Sequence, residues 1–111
     1  MMALVFVCGA NSQDVEQSYA LVKGTVFTNI GRSFPGVEVE IIRVDVEERH
    51  RKATRQKARS DKIGEFAFRL PSGPSEWKLI FRAKDFVEDE REIEVFSDER
   101  VDITVLMQPE G

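Results

Sequence analysis

Ser60-Asp61-Lys62-Ile63-Gly64-Glu65-Phe66-Ala67-Phe68-Arg69-Leu70-Pro71-Ser72-Gly73 joins a turn, an alternating strand and a second turn end to end. Gly64 can take the positive φ of a tight turn, and the Asp61 side chain can bond the backbone just after it. Phe66, Phe68 and Leu70 then fall on one face of a strand, with Glu65, Ala67 and Arg69 on the other. Pro71 lacks a ladder donor and Gly73 frees the next turn, so the strand stops there. The following run repeats the pattern, Trp77, Leu79 and Phe81 alternating with Lys78, Ile80 and Arg82. Joined by a Gly/Pro loop, the two runs are expected to pair as a hairpin with one aromatic face.

Working outward, Tyr19 to Thr28 reads as a first strand, bent or closely approached at Gly24. A loop from Asn29 to Gly36 precedes a second strand carrying Val37, Val39 and Ile41. Its apolar parity changes at Ile41-Ile42, which suggests a bulge or a strand buried on both faces at its end. Asp45 to Ser60 has helix formers and i,i+4 charge pairs, Glu47 with Arg51 and Glu48 with Lys52, but no adequate apolar stripe. A charged hairpin turning near Glu48 to Arg51 is the preferred reading, with a helix the alternative. Val87 to Phe96 reads as a strand with a solvated acidic face, and Val101, Ile103, Val105 and Met107 mark the last one.

Seven short strands with frequent turns and no strong helix predict an all-β, antiparallel, seven-stranded Greek-key β-sandwich. Its core is expected to hold Val26, Val37, Val39, Ile41, Phe66, Phe68, Leu70, Trp77, Leu79, Phe81, Ile93, Val101, Ile103 and Val105. At 111 residues, 41% hydrophobic and 32% charged, the chain suits one globular domain, here placed at residues 19–107. Residues 1–18 read as a signal-like segment and linker, and 108–111 as a polar tail.

Within the first of these, Ala3 to Ala10 is apolar or small throughout, like the end of a secretory signal with cleavage after Ala10. The expectation is export, to the periplasm, cell surface or exterior. Lipidation at Cys8 would require a small residue before it, and Val7 stands there. One cysteine closes no internal disulfide, and Cys8 with His50 is too few ligands for a Cys/His zinc site.

Several stretches together resemble the bacterial carboxypeptidase regulatory-like domains, which have a prealbumin-like (transthyretin-like) β-sandwich. They are Gly24-Thr25-Val26, Pro35-Gly36-Val37, Ser60-Asp61-Lys62-Ile63-Gly64-Glu65-Phe66, Leu70-Pro71-Ser72-Gly73 and Trp77-Lys78-Leu79. The similarity spans Leu21 to Met107 and lies in turn and core positions. It implies a non-catalytic accessory module, usually exported, without a cofactor, acting through protein–protein contact. Relatives on this sandwich bind glycans, so a carbohydrate-binding module of the starch-binding-like fold is the alternative.

Other chemistry of such sandwiches finds no residues here. An internal isopeptide could start from Lys23 and Asp102 on the first and last strands, but Phe81 and Arg82 occupy the place of the proton-shuttling glutamate. The hydrolases of the transthyretin-like group use several histidines and a Tyr-Arg-Gly-Ser tail; this chain has His50 alone and ends Leu106-Met107-Gln108-Pro109-Glu110-Gly111.

The net charge of −4 hides an asymmetry. Arg49, Arg51, Lys52, Arg55, Lys57, Arg59 and Lys62 crowd one window with Asp61 its only acid, while Glu88-Asp89-Glu90 and Asp98-Glu99 are acidic. The basic window is the candidate partner-binding patch, for an acidic protein, an anionic glycan or, weakly, a membrane surface. A solvated hairpin whose charges protect a sheet edge is the plainer reading. Nucleic acid is disfavoured, since no aromatic residues interleave with the cations. Glu88 to Glu92 matches no calcium-loop spacing and reads as a solvated strand face. Trp77 shares the parity of Leu79 and Phe81 and belongs to the core rather than to a sugar platform.

Overall fold

The computed structural model describes residues 18–111; the signal-like segment, Cys8 and all but the end of the linker lie outside the described residues. Seven strands form two sheets. They are β1 (Tyr19–Phe27), β2 (Glu38–Arg43), β3 (Gln56–Arg59), β4 (Glu65–Pro71), β5 (Ser75–Arg82), β6 (Asp89–Val95) and β7 (Arg100–Leu106). One sheet has the order β4-β1-β7, the other β3-β2-β5-β6. The all-β sandwich expected from alternation is therefore the fold. Its ladders are antiparallel except for β1 with β7, which run parallel from Leu21↔Arg100 to Phe27↔Leu106.

The aromatic strands correct one expectation. β4 and β5 do not pair as a hairpin: the Pro71–Ser75 corner carries the chain from one sheet to the other. Each strand has a complete apolar row of its own, so the rows gain more by facing each other across the core than by lying side by side in one layer. Phe66 of β4 stacks on Phe81 of β5 with ring centroids 5.5 Å apart, which joins the two sheets at the centre. At one end Phe34 meets Phe86 edge-on at 4.8 Å and closes the space between the loops.

Eleven of the fourteen expected core residues are buried; Ile93, Val101 and Ile103 are half-buried against the core. Those three lie on β6 and β7, and the inward row of β6 carries the charged Asp89 and Arg91 on one side of Ile93 and the buried Val95 on the other. Arg91 Nη1 donates to the Thr104 carbonyl at 3.4 Å, a polar contact where the rest of the core is apolar. Ala20, Val22, Val95 and Met107 are buried too and were not among the expected set. Ala20 and Val22 share parity with Gly24 and Val26, and that alternation was readable.

Gly24 is closely approached, as expected: a β-carbon there would stand 2.5 Å from Phe66 Cζ and 2.7 Å from the Ile103 carbonyl oxygen. Gly64 has φ 82°, and Asp61 Oδ1 accepts from the N–H groups of Ile63 (3.0 Å) and Glu65 (2.9 Å), forming the turn read from the sequence.

Segment 45–60 is a hairpin with a helical cap. β3 pairs antiparallel with β2 in the register Glu38↔Arg59 to Ile41↔Gln56. The connection contains one α-helical turn, α1 (Glu48–Arg51), followed by a 3-10 turn at Lys52–Thr54. Neither turn buries a residue, in keeping with the missing apolar stripe. The parity change in β2 is no bulge, because Ile41↔Leu79 and Ile42↔Lys78 follow without a break. Val39, Glu40 and Ile41 are buried in succession, so it is the middle of β2 that is covered on both faces, while its end at Ile42 and Arg43 is only partly buried.

Candidate functional site

The outer face of the β3-β2-β5-β6 sheet carries most of the charge singled out from the sequence. Strand alternation puts Lys57 and Arg59 of β3, Glu38, Glu40 and Ile42 of β2, Glu76, Lys78, Ile80 and Arg82 of β5, and Glu90, Glu92 and Glu94 of β6 on this face. Glu40 is at its centre, 5% exposed, between neighbours on both sides. Arg82 Nη1 donates to Glu40 Oε1 at 2.9 Å, and Arg55 Nε lies 2.6 Å from Glu40 Oε2. The Arg82 hydrogen bond, aided by the charges of Arg55, Arg82 and Lys57, holds the Glu40 carboxyl below the usual carboxylate range against the opposing effect of burial. Arg82 also reaches Glu38 at 3.5 Å and Glu88 at 3.1 Å, so one guanidinium ties three carboxylates together.

The seven basic residues of the candidate patch do different jobs. Arg51 is structural: its Nε donates to the Val46 carbonyl (3.2 Å) and its Nη2 to the Val44 carbonyl (3.0 Å), fastening the helical turn to the end of β2. Arg55 is committed to Glu40. Arg49 pairs at the surface with Glu47, 2.9 Å away. Arg59 bonds the Gly36 carbonyl at 3.1 Å and remains exposed. Lys52, Lys57 and Lys62 are exposed, and among the described residues no carboxylate pairs with them or with Arg59. The sequence window thus resolves into four exposed cations without an ion pair around β3 and its two flanking turns, of which Lys57 still acts on Glu40 across the strands and Arg59 bonds a backbone carbonyl. Sequence reading missed Glu40 and Arg82, because alternation alone places both on a solvated face.

The remaining candidates fall outside any assembled site. Trp77 is 2% exposed and donates its indole N–H to Ser75 Oγ at 2.8 Å, which makes it a core residue as expected. His50 lies on α1 beside Glu47 Oε1 at 3.6 Å, at the surface. Lys23 and Asp102 are register partners on β1 and β7, but the Asp102 side chain is 64% exposed and bonds Arg100. Glu90 and Glu92 point outward while Asp89 lies on the inner parity, so these carboxylates do not converge. Among the described residues no three His, Cys, Asp or Glu side chains are grouped to hold a metal ion, and no helix is long and apolar enough to cross a membrane.

No protein-family model matches the chain, and no curated protein matches it in sequence. Solved structures do match in fold. Hydroxyquinol 1,2-dioxygenase from Pseudomonas putida DLL-E4 aligns with TM-score 0.65 at 12% identity, over 84% of this chain and 57% of that one. Catechol 1,2-dioxygenase from Acinetobacter sp. ADP1 aligns with TM-score 0.64 at 12% identity, over 83% and 53%. The dioxygenase domain of a dioxygenase–carbohydrate-binding fusion from Streptomyces sp. SirexAA-E gives TM-score 0.53 at 14% identity, over 71% and 56%. The chain spans about half the length of these proteins, and at such identities the likeness is one of β-sandwich fold.

Proposed function

We propose that this chain is a non-catalytic β-sandwich interaction module, exported and of the carboxypeptidase regulatory-like kind, that binds an acidic protein surface through the β3 side of its four-stranded sheet. The observation that carries this reading is the group of four exposed cations, Lys52, Lys57, Arg59 and Lys62, with no carboxylate partner among the described residues. Unpaired cations on a rigid sheet edge keep their field for a partner, whereas those neutralised within the fold do not. Support for the family reading comes from the turn residues of the resemblance. Gly36, Gly64 and Gly73 all have positive φ, at 77°, 82° and 110°, where that pattern needs glycine. Export rests on the apolar segment Ala3 to Ala10. The glycan-binding alternative loses its platform, since Trp77 is enclosed and indole stacking on a sugar needs an open face.

The test is affinity capture under native conditions with the wild-type chain and with Lys52→Glu/Lys57→Glu/Lys62→Glu. These positions avoid Arg51 and Arg55, whose contacts are internal. Wild type is expected to retain an acidic partner that elutes at raised salt; the triple variant is expected to lose it and keep its melting temperature. Equal retention by both proteins would refute the docking role of β3.

A further inference from the structure

Read across the outer face of the four-stranded sheet, the sign of charge alternates strand by strand. β3 presents Lys57 and Arg59, β2 Glu38 and Glu40, β5 Lys78 and Arg82 with the acidic Glu76 near its start, and β6 Glu90, Glu92 and Glu94, so the alternation holds from Lys78 to Arg82 and ends at Glu76. The register makes these true rows: Lys57–Glu40–Ile80–Glu90 is one, and Arg59–Glu38–Arg82 its neighbour. A sequence of plus, minus, plus, minus becomes its own complement when reversed. A second copy laid face to face about a two-fold axis parallel to the strands therefore sets the cations of β3 and β5 opposite the carboxylates of β6 and β2. β3 of each copy meets β6 of the other, and β2 meets β5. A two-fold axis across the strands would instead oppose like columns, so the charges select one of the two arrangements.

The geometry points to a homodimer in which this face is the interface and the acidic β6 rim of a second copy is the partner of the β3 cations. The inference rests on the interaction-module reading above and names the acidic surface it calls for. Neighbouring strands are about 4.8 Å apart, which puts β3 roughly 14 Å from β6. That exceeds the screening length of about 8 Å at physiological salt, so the two rims of one molecule do little to neutralise each other. The inner columns are already paired within the fold through Arg82 with Glu38 and Glu40. The rims are where charge is left over: Lys57 and Arg59 on one side, Glu92 and Glu94 on the other, have no ion pair among the described residues. Ile42 and Ile80, diagonal neighbours on β2 and β5, lie half-covered between the rims. With Glu40 neutralised by its arginines between them, these two side chains supply apolar area inside the charged rims, as specific interfaces do. The two-fold arrangement also closes, so it yields a dimer and not a filament.

Sedimentation velocity on the full chain tests this at low and high salt over a range of protein concentration. The expected result is a monomer–dimer equilibrium whose dissociation constant rises roughly tenfold or more from low to high salt. Two variants then fix the face. Lys57→Glu/Arg59→Glu makes both rims acidic, and Glu90→Lys/Glu92→Lys makes both basic. Each alone is expected to be monomeric with an unchanged far-ultraviolet circular dichroism spectrum, and an equimolar mixture to form the heterodimer, because both rim contacts are then restored. A zero-length carbodiimide cross-link between Lys57 and Glu90 in the covalent dimer is the second readout, since within one copy those residues are three strand spacings apart, with β2 and β5 between them. A monomer under all conditions overturns the dimer while leaving capture of a foreign acidic protein intact. A dimer indifferent to salt and to both reversals overturns it as well, by placing the contact on another face. Should a variant fail to fold, the Lys57–Glu90 cross-link in wild type decides alone.

Discussion

Glu40 is the residue on which the polar half of this structure turns. Two arginines hold its carboxylate on a strand covered on both faces, and its depressed pKa makes that contact a source of pH dependence. A group whose folded pKa lies below its unfolded value stabilises the fold above the unfolded value, about 4.3 for glutamate, and loses that contribution as pH falls through the folded one. Wild type should therefore lose stability below about pH 4 more steeply than Glu40→Gln. At neutral pH the variant should be less stable by about 1–2 kcal/mol, the low end for a charged hydrogen bond, because Arg55 and Arg82 are more than a third exposed and can turn to water. Urea denaturation of both proteins at pH 7 and pH 3 measures the two effects; parallel pH profiles would remove Glu40 as their cause. Gly24 offers a sharper steric test. In Gly24→Ala the new methyl meets a Phe66 ring that could shift and an Ile103 carbonyl fixed by the β1–β7 ladder, so a loss of about 1–3 kcal/mol is expected in the same measurement. Gly24 was legible because a glycine within a strand pattern signals close approach. Glu40 was not, since its burial comes from β3 and β5 on either side and not from its own parity.

At the level of elements, turn chemistry was readable and strand partnership was not. Asp61 and Gly64 place the β3–β4 turn as the sequence indicates, and the chain leaves β4 at Pro71. Local signals of this kind are complete within a few residues. Whether β4 pairs with β5 depends on where each apolar row finds its counterpart, and that counterpart is in the opposite sheet. The 45–60 segment shows the same limit from the other side. Its charged turn has helix propensity and too little apolar surface for a longer helix, so it makes a single helical turn inside a hairpin. That turn is held by Arg51 bonding the Val44 and Val46 carbonyls. Arg51→Ala should raise amide exchange in residues 44–55 while leaving β4 and β5 protected, with a global cost of about 1 kcal/mol. Uniformly faster exchange throughout the chain would show that the turn is not a separate unit.

Over the whole molecule the aromatic rows join two sheets whose strand order brings together parts distant in sequence. β1 joins β4 and β7 in one sheet, and β2 lies between β3 and β5 in the other. Alternation at Phe66, Phe68, Trp77, Leu79 and Phe81 was enough to foresee an inward aromatic layer, because period-two patterning depends only on the strand itself. The alternating charge columns of the outer face could not be foreseen, since they exist only once β3, β2, β5 and β6 are set in that order. The same reasoning predicts where the fold is most vulnerable. Phe66 and Phe81 stack from opposite sheets, and Phe66 also lies 6.0 Å from Phe68, so one side chain joins the two layers. Phe66→Ala removes the ring that also covers Gly24, and the rigid β1–β4 ladder limits how far the cavity can collapse. The expected loss is about 3–5 kcal/mol, a large share of the stability of a domain this size. Tyr19, half-exposed on the outer face beneath the Arg69 guanidinium 4.5 Å away, is the control, and Tyr19→Ala should cost about 1 kcal/mol or less. Equilibrium unfolding of the two variants decides the matter, because comparable losses would mean that the layered aromatic contact is not what holds the two sheets together.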